Sequence, residues 1–72
     1  MERLSVNPPS RIRVIFYDAD EETLKVEFED RSCYQYDGVP EYLFVGLKEA
    51  GTKFQFLRDH VWRAGYESRR IS

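Results

Sequence analysis

Residues 10–36 read SRIRVIFYDADEETLKVEFEDRSCYQY, and this stretch decides the fold. Apolar and polar residues alternate in three separate segments, with charged or turn-forming residues between them. Alternation with a period of two places every second side chain on the same face of a β-strand. The stretch therefore predicts strands over residues 10–17, 23–29 and 32–36. Because the connections are short, the strands are expected to form an antiparallel meander.

The same alternation predicts which face of each strand is buried. Three apolar side chains of each long strand are expected to face the core: Ile12, Val14 and Phe16 in the first, and Leu24, Val26 and Phe28 in the second. The opposite face would then carry charged residues such as Arg11, Arg13 and Lys25, together with Ile15 and Tyr17. A sheet with one apolar and one polar face needs a covering layer on the apolar face only.

The facing of Tyr34 and Tyr36 depends on the turn that precedes them. A two-residue turn would pair Phe28 with Cys33 and place both tyrosines on the face away from the core. A three-residue turn with a bulge would pair Phe28 with Ser32 and direct both rings into the core. The sequence leaves both alternatives open: the first gives a surface on which bases could stack, and the second gives packing.

Arg31 is the unusual residue of that turn. Either turn type favours a positive φ at its position, where glycine or asparagine is preferred. A side chain in the left-handed region costs about 1–2 kcal/mol. We therefore expect Arg31→Gly to stabilise the fold.

A first helix is predicted over residues 40–50. Pro40 suits a first helical position because its missing N–H is not needed there, and Gly51 suits a C-terminal cap. The buried side is marked by helical spacing and comprises Tyr42 or Leu43, Val45 or Gly46, Leu47 and Ala50. Gly46 inside the helix would allow a close helix–sheet contact.

A second helix is predicted over residues 53–64. Thr52 and Gln55 fit a capping box at its start, and Gly65 ends it. Phe54, Leu57, Val61 and Ala64 form its apolar stripe. Before and after these elements, an extended lead-in at Asn7-Pro8-Pro9 and a loosely held tail over 67–72 are expected. The predicted fold class is α+β: a three-stranded antiparallel β-meander followed by two α-helices packed on one face (βββαα).

Length and composition restrict the class of protein. The 72 residues suffice for one domain, which we place over 1–72 with an ordered core at about 10–66. A single cysteine excludes an internal disulfide and favours a reducing compartment. The sequence shows neither the apolar run of a signal peptide nor a membrane span. These features predict a cytoplasmic protein without membrane contact.

The reactive residues are too few for catalysis. The chain has one histidine, His60, and one cysteine, Cys33, whereas a structural zinc site needs about four ligands. Cys33 stands in the middle of a predicted strand, where a small buried side chain is the expected role. The sequence therefore predicts a protein that is not an enzyme and holds no cofactor or metal.

Charge is unevenly distributed along the chain. Residues 18–30 carry seven acids against one base, whereas residues 51–72 carry five bases against two acids. This asymmetry can give a molecule of net charge −2 one positive side. Together with the tyrosine pair, the basic residues form the candidate nucleic-acid-binding set: Arg11, Arg13, Tyr34, Tyr36, Arg58, Trp62, Arg69 and Arg70.

The chain resembles the KTSC domain family, which is named for the C-terminal end of some lysyl-tRNA synthetases and also occurs as small free-standing bacterial proteins. The resemblance lies in the order and spacing of short segments: Ser10-Arg11-Ile12, Tyr17-Asp18, Leu24-Lys25-Val26-Glu27-Phe28, Tyr34-Gln35-Tyr36, Val39-Pro40 and Leu47-Lys48-Glu49-Ala50. The family usually has glycine where Arg31 stands, and glycine and asparagine near Phe54 and Arg58. The resemblance implies a free-standing module that binds RNA, and it brings no catalytic residues.

Two functions are therefore expected. The first is a small non-catalytic module that binds RNA, or a protein of the translation or RNA-handling machinery, through the set above. The alternative is a protein–protein interaction module that docks through Trp62 and nearby apolar residues. Trp62 also has a purely structural interpretation, as a cover for the edge of the core.

Overall fold

The computed structural model describes residues 1–7 and 10–72, and it shows an antiparallel sheet covered by helices on one face. The strands are β1 (Glu2–Ser5), β2 (Ile12–Asp18), β3 (Thr23–Phe28), β4 (Cys33–Asp37) and β5 (Ser68–Arg70), paired in the order β1-β2-β3-β4-β5. The helices are α1 (Glu41–Glu49) and α2 (Lys53–Leu57), and α2 continues as a π-helical turn over Arg58–Trp62. The α+β class is confirmed, but the sheet has five strands rather than three.

The two additional strands are the edges of the sheet. β1 pairs with β2, with Leu4 opposite Ile15, and β5 pairs with β4, with Arg70 opposite Tyr34. The predicted loose tail is therefore partly a strand. Neither segment shows apolar alternation, because Glu2–Ser5 contains one apolar residue and Ser68–Arg70 contains none. Pro8 and Pro9 of the predicted lead-in lie outside the described residues.

A β-bulge at Arg13 reverses the predicted facing of β2. Ile12 is opposite Phe28, but Val14 is already opposite Glu27, so Arg13 is an extra residue on its strand. Beyond the bulge, Ile15 and Tyr17 enter the core at 0% and 2% exposure. The prediction that Phe16 faces the core is therefore wrong, because one inserted residue exchanges the two faces. Val14 is buried, as expected, at 6% exposure, but it is not part of the core cluster.

The turn between β3 and β4 has three residues. The Phe28 N–H donates to the Ser32 carbonyl at 2.8 Å, and the Arg31 N–H donates to the Phe28 carbonyl at 3.0 Å. Arg31 adopts a φ of +73°, as the sequence indicated. Of the two alternatives, the structure has the one that directs Tyr34 and Tyr36 toward the helices.

The core lies between the sheet and the helices. It is built from side chains of both layers: Ile12, Ile15, Tyr17, Leu24, Val26, Tyr36, Val39, Phe44, Leu47, Leu57 and Val61. The Tyr17 ring stacks on Phe44 with centroids 5.0 Å apart, and its hydroxyl donates to the Val39 carbonyl. No helix among the described residues is both long and apolar enough to cross a bilayer.

The helices depart from prediction in three details. The Thr52 side chain makes no capping hydrogen bond, so the predicted capping box is wrong; its backbone carbonyl accepts from the Phe56 N–H instead. The α-helical part of the second helix ends at Leu57, and Ala64 is exposed rather than part of the buried stripe. The helical segment ends at Trp62, and Gly65, with a φ of +82°, lies in the turn that follows it.

The first helix buries Phe44 and Leu47 and leaves Tyr42 and Val45 exposed. Leu43 packs against the core from the same side. Gly46 permits a close approach, but its neighbour is the Phe56 ring of the second helix, so the predicted helix–sheet contact is wrong.

Candidate nucleic-acid interface

The tyrosine pair lies on the helix face of the sheet. Tyr36 is 7% exposed and Tyr34 is half-buried against the core. Burial raises the pKa of Tyr36, and the neighbouring Trp62 indole N–H opposes that rise. Because these rings are covered by the helices, they do not form an open surface on which successive bases could stack.

Trp62 belongs to an aromatic cluster at one end of the core. Its ring lies 5.2 Å from Phe54 and 6.1 Å from Phe28, and Phe28 meets Tyr34 edge-on at 5.9 Å. The indole Nε1 is shielded from solvent and lies near the Tyr36 hydroxyl without meeting the geometry of a hydrogen bond. Trp62 is thus half-buried, and the large apolar side chains that are well exposed lie elsewhere, at Met1, Tyr42, Val45 and Ile71.

The five predicted arginines are divided between separate places. Arg13 pairs with Glu27 at 2.5 Å, and Arg58 pairs with its neighbour Asp59 at 3.2 Å. The Arg11 guanidinium lies over the Phe54 ring, 5.7 Å from its centroid.

The remaining two arginines belong to β5, on opposite faces. Arg70 is opposite Tyr34 and therefore at the edge of the helix face, whereas Arg69 is opposite Gln35 on the other face. The structure therefore does not bring the eight predicted residues together into one surface.

The pairing registers reveal a different set on the face that the helices leave open. Directly opposite residues on neighbouring strands share a face. Arg3 is opposite Phe16, Phe16 is opposite Lys25, Lys25 is opposite Gln35, and Gln35 is opposite Arg69. Each of the five strands thus contributes one side chain to a continuous line across the sheet, which we call the basic row: Arg3, Phe16, Lys25, Gln35 and Arg69.

The basic row combines three cations with one aromatic ring. Arg3 and Arg69 are exposed, and Phe16, Lys25 and Gln35 are half-buried. Among residues 1–7 and 10–72, none of the three cations forms an ion pair. With neighbouring strands about 4.8 Å apart, the row spans about 19 Å.

The rows on either side limit the positive surface. On one side, Glu27 is neutralised by Arg13 and stands opposite the half-buried Cys33, which lies on the open face rather than in the core. Burial raises the pKa of the Cys33 thiol, Glu27 raises it further, and Lys25 lowers it. On the other side, Asp18 and Asp37 flank Thr23. The positive charge is therefore confined to a band about one residue wide.

Of the basic row, the predicted binding set contained only Arg69, although the alternation in the second strand also placed Lys25 on the face away from the core. Arg3 lies in a segment without apolar alternation, and Phe16 was expected in the core because the bulge at Arg13 leaves no clear mark in the sequence. Lys25 and Gln35 become neighbours only through the β3–β4 register. No signal within a single strand could have assembled this set.

The fold and this face define a small α+β domain with one covered and one open sheet face. The KTSC domain matches residues 9–66, and the chain belongs to the KTSC domain family. The chain is also similar to the crystal structure of a KTSC domain protein from Yersinia pestis, with 35% identity and a TM-score of 0.84. That similarity covers 99% of this chain and 97% of the other. Comparison with curated proteins found no match.

Proposed function

We propose that this protein is a small non-catalytic module that binds single-stranded RNA across the open face of its sheet. The basic row supports the proposal, because it sets an aromatic ring between two cations and adds an amide and a third cation farther along. Proteins that bind single strands combine a positive track for the backbone with rings on which bases stack. Arg13 and Arg69 of the expected set lie on or beside this face; Tyr34 and Tyr36 would support it from within the core.

The proposed binding is weak and sensitive to salt. One stacked base contributes about 1–3 kcal/mol, and Phe16 offers one partly covered ring. Three cations that contact three phosphates would give a salt slope of about −2 on a double-logarithmic plot. The net charge of −2 opposes long-range attraction. A strand of a few nucleotides, or one presented by a partner of the translation machinery, is therefore the proposed ligand.

The proposal is tested by fluorescence anisotropy with a labelled single-stranded RNA octamer in 20–200 mM KCl. Lys25→Gln and Arg69→Gln should each weaken binding by several-fold, because each removes a phosphate contact. Phe16→Leu should weaken it by about fivefold or more, because it removes the ring and keeps an apolar side chain. Arg63→Gln is the control, since it removes one exposed positive charge away from the sheet.

If Arg63→Gln lowers the RNA affinity as much as the row variants do, the loss of affinity reflects net charge rather than specific contacts. If none of the row variants changes the affinity, the proposed interface is refuted. A matched DNA octamer shows whether the ribose 2′-hydroxyl contributes. Docking through Trp62 remains the alternative, but its half-buried position in the aromatic cluster supports it less than the basic row supports RNA binding.

A further inference from the structure

We propose a second site: a cleft between the end of β1 and the start of α2 that binds the phosphate group of a small phosphate monoester. The cleft has a volume of about 600 Å³, and its lining includes residues from the β1–β2 connection and from the start of the second helix. It lies apart from the basic row, and none of the five row residues lines it.

The lining is polar and positively charged. Two cations, Arg11 and Lys53, line the cleft together with the hydroxyl groups of Ser5, Ser10 and Thr52, and none of the described residues in the lining carries a carboxylate. In a chain with 13 acids and 11 bases, a cleft that gathers two bases and no acid favours an anion. Hydroxyl and cationic donors together are the groups that coordinate phosphate oxygens.

The two cations keep donors free for a ligand. The Lys53 Nζ donates to the Ala50 carbonyl at 2.9 Å, and its ammonium group has two further hydrogens. The Arg11 guanidinium is placed over the Phe54 ring and forms no ion pair among the described residues. Stacking on Phe54 holds Arg11 at the cleft wall without using its five N–H donors.

Two carboxylates compete from outside the cleft. Glu29 and Asp30 line an adjoining cavity that shares Arg11. The Asp30 carboxylate already accepts hydrogen bonds from the Ser32 N–H and hydroxyl, which lower its pKa. Because neither carboxylate pairs with Arg11, a dianionic phosphate in the cleft would be its first strong partner.

The site is tested by following backbone amide shifts while adding uridine 5′-monophosphate, with uridine and with potassium phosphate as separate titrations. Potassium chloride keeps the ionic strength constant. The nucleotide and inorganic phosphate should give saturable shifts at Thr52, Lys53 and Phe54, and uridine should not. The shifts should weaken below about pH 6, where the phosphate becomes a monoanion.

Variants separate this site from the proposed RNA interface. Lys53→Gln should abolish the saturable shifts, and Arg11→Gln should reduce them at least severalfold. Arg58→Gln should leave them unchanged, and so should Lys25→Gln even if RNA binding fails entirely. Shifts that are linear, that are spread over the whole chain, or that are equally large with uridine would overturn the proposal.

Discussion

Arg31 holds the β3–β4 turn in the left-handed region, with a φ of +73°. A residue with a Cβ is strained there, whereas glycine is not. We therefore predict that Arg31→Gly raises the free energy of unfolding by about 0.5–1 kcal/mol, after the extra freedom of glycine in the unfolded chain is subtracted. In a domain of this size the melting temperature should rise by a few degrees in a circular-dichroism melt.

The matched control is Arg31→Ala, which removes the same charge and keeps the strain. It should not raise the melting temperature. If alanine stabilises as much as glycine, repulsion or side-chain freedom of the arginine explains the effect, and the backbone does not.

Cys33 provides a second test at single residues, because its thiol senses the charges of the open face. Burial and Glu27 raise its pKa and Lys25 lowers it, and only the thiolate reacts with disulfide reagents. We predict slow modification at pH 7.5, faster modification in Glu27→Gln and slower modification in Lys25→Gln. Urea-unfolded protein provides the reference rate. If both variants change the rate in the same direction, altered access to the thiol rather than charge controls it.

Among the elements, β5 forms one edge of the sheet from residues that the sequence indicated as a loosely held tail. The Ile71 N–H donates to the Cys33 carbonyl at 2.8 Å, and the Asp37 N–H donates to the Glu67 carbonyl at 3.0 Å. We predict that hydrogen exchange finds the Asp37 amide protected in the full chain. A chain truncated after Tyr66 should lose this protection and melt at a lower temperature. An unprotected Asp37 amide in the full chain would show that β5 is detached in solution.

The contact between α1 and the second helix depends on Gly46. A Cβ at this position would lie 2.8 Å from the Phe56 Cζ, and the Phe56 ring is itself backed by His60 at 4.4 Å. Helix propensity alone favours Gly46→Ala by about 1 kcal/mol, but overpacking costs about 1–3 kcal/mol. We predict a lower melting temperature in Gly46→Ala.

A second background tests whether the Phe56 ring causes the loss of stability in Gly46→Ala. In a Phe56→Leu background, Gly46→Ala should raise the melting temperature, because the helix gains propensity without the clash. A loss of similar size in both backgrounds would place the conflict elsewhere than at Phe56.

These elements show which structural features a sequence of this kind determines. Three strands and two helices were predictable because each carries its own apolar period. The edge strands β1 and β5 were not predictable. They lack an apolar period of their own and are extended because they pair with β2 and β4. The β2 facing also failed, because the bulge at Arg13 depends on its partner strand. The candidate interface depends on register and facing together, so the sequence predicted Arg69 as a binding residue and the outward facing of Lys25, but not the row that they form with Arg3, Phe16 and Gln35.

At the scale of the whole molecule, the two faces of the sheet differ in their exposure to water. The helix face excludes water from aromatic rings, and two phenols, Tyr17 and Tyr36, are buried there at 2% and 7% exposure. The open face keeps cations in contact with solvent. A 72-residue domain has little stability in reserve, about 4–11 kcal/mol, so the burial of two ionisable groups should be visible in its pH dependence.

Burial raises the pKa of both phenols, and nearby carboxylates of Glu22, Glu41 and Asp18 raise that of Tyr17 further. The unfolded chain releases these protons near pH 10, while the native chain holds them to higher pH. Their contribution to stability is therefore fully present below about pH 10 and is lost as the pH rises through the native pKa values.

We predict that the free energy of unfolding, measured with urea from pH 8 to 11.5, begins to fall near pH 10, with up to about 1.4 kcal/mol per pH unit for each phenol. Tyr17→Phe should start from a lower stability, because the hydrogen bond to Val39 is lost, and should fall less steeply. Tyr42→Phe controls for the loss of an exposed phenol. A slope identical in wild type and Tyr17→Phe would show that lysine deprotonation, rather than the buried phenols, drives alkaline unfolding.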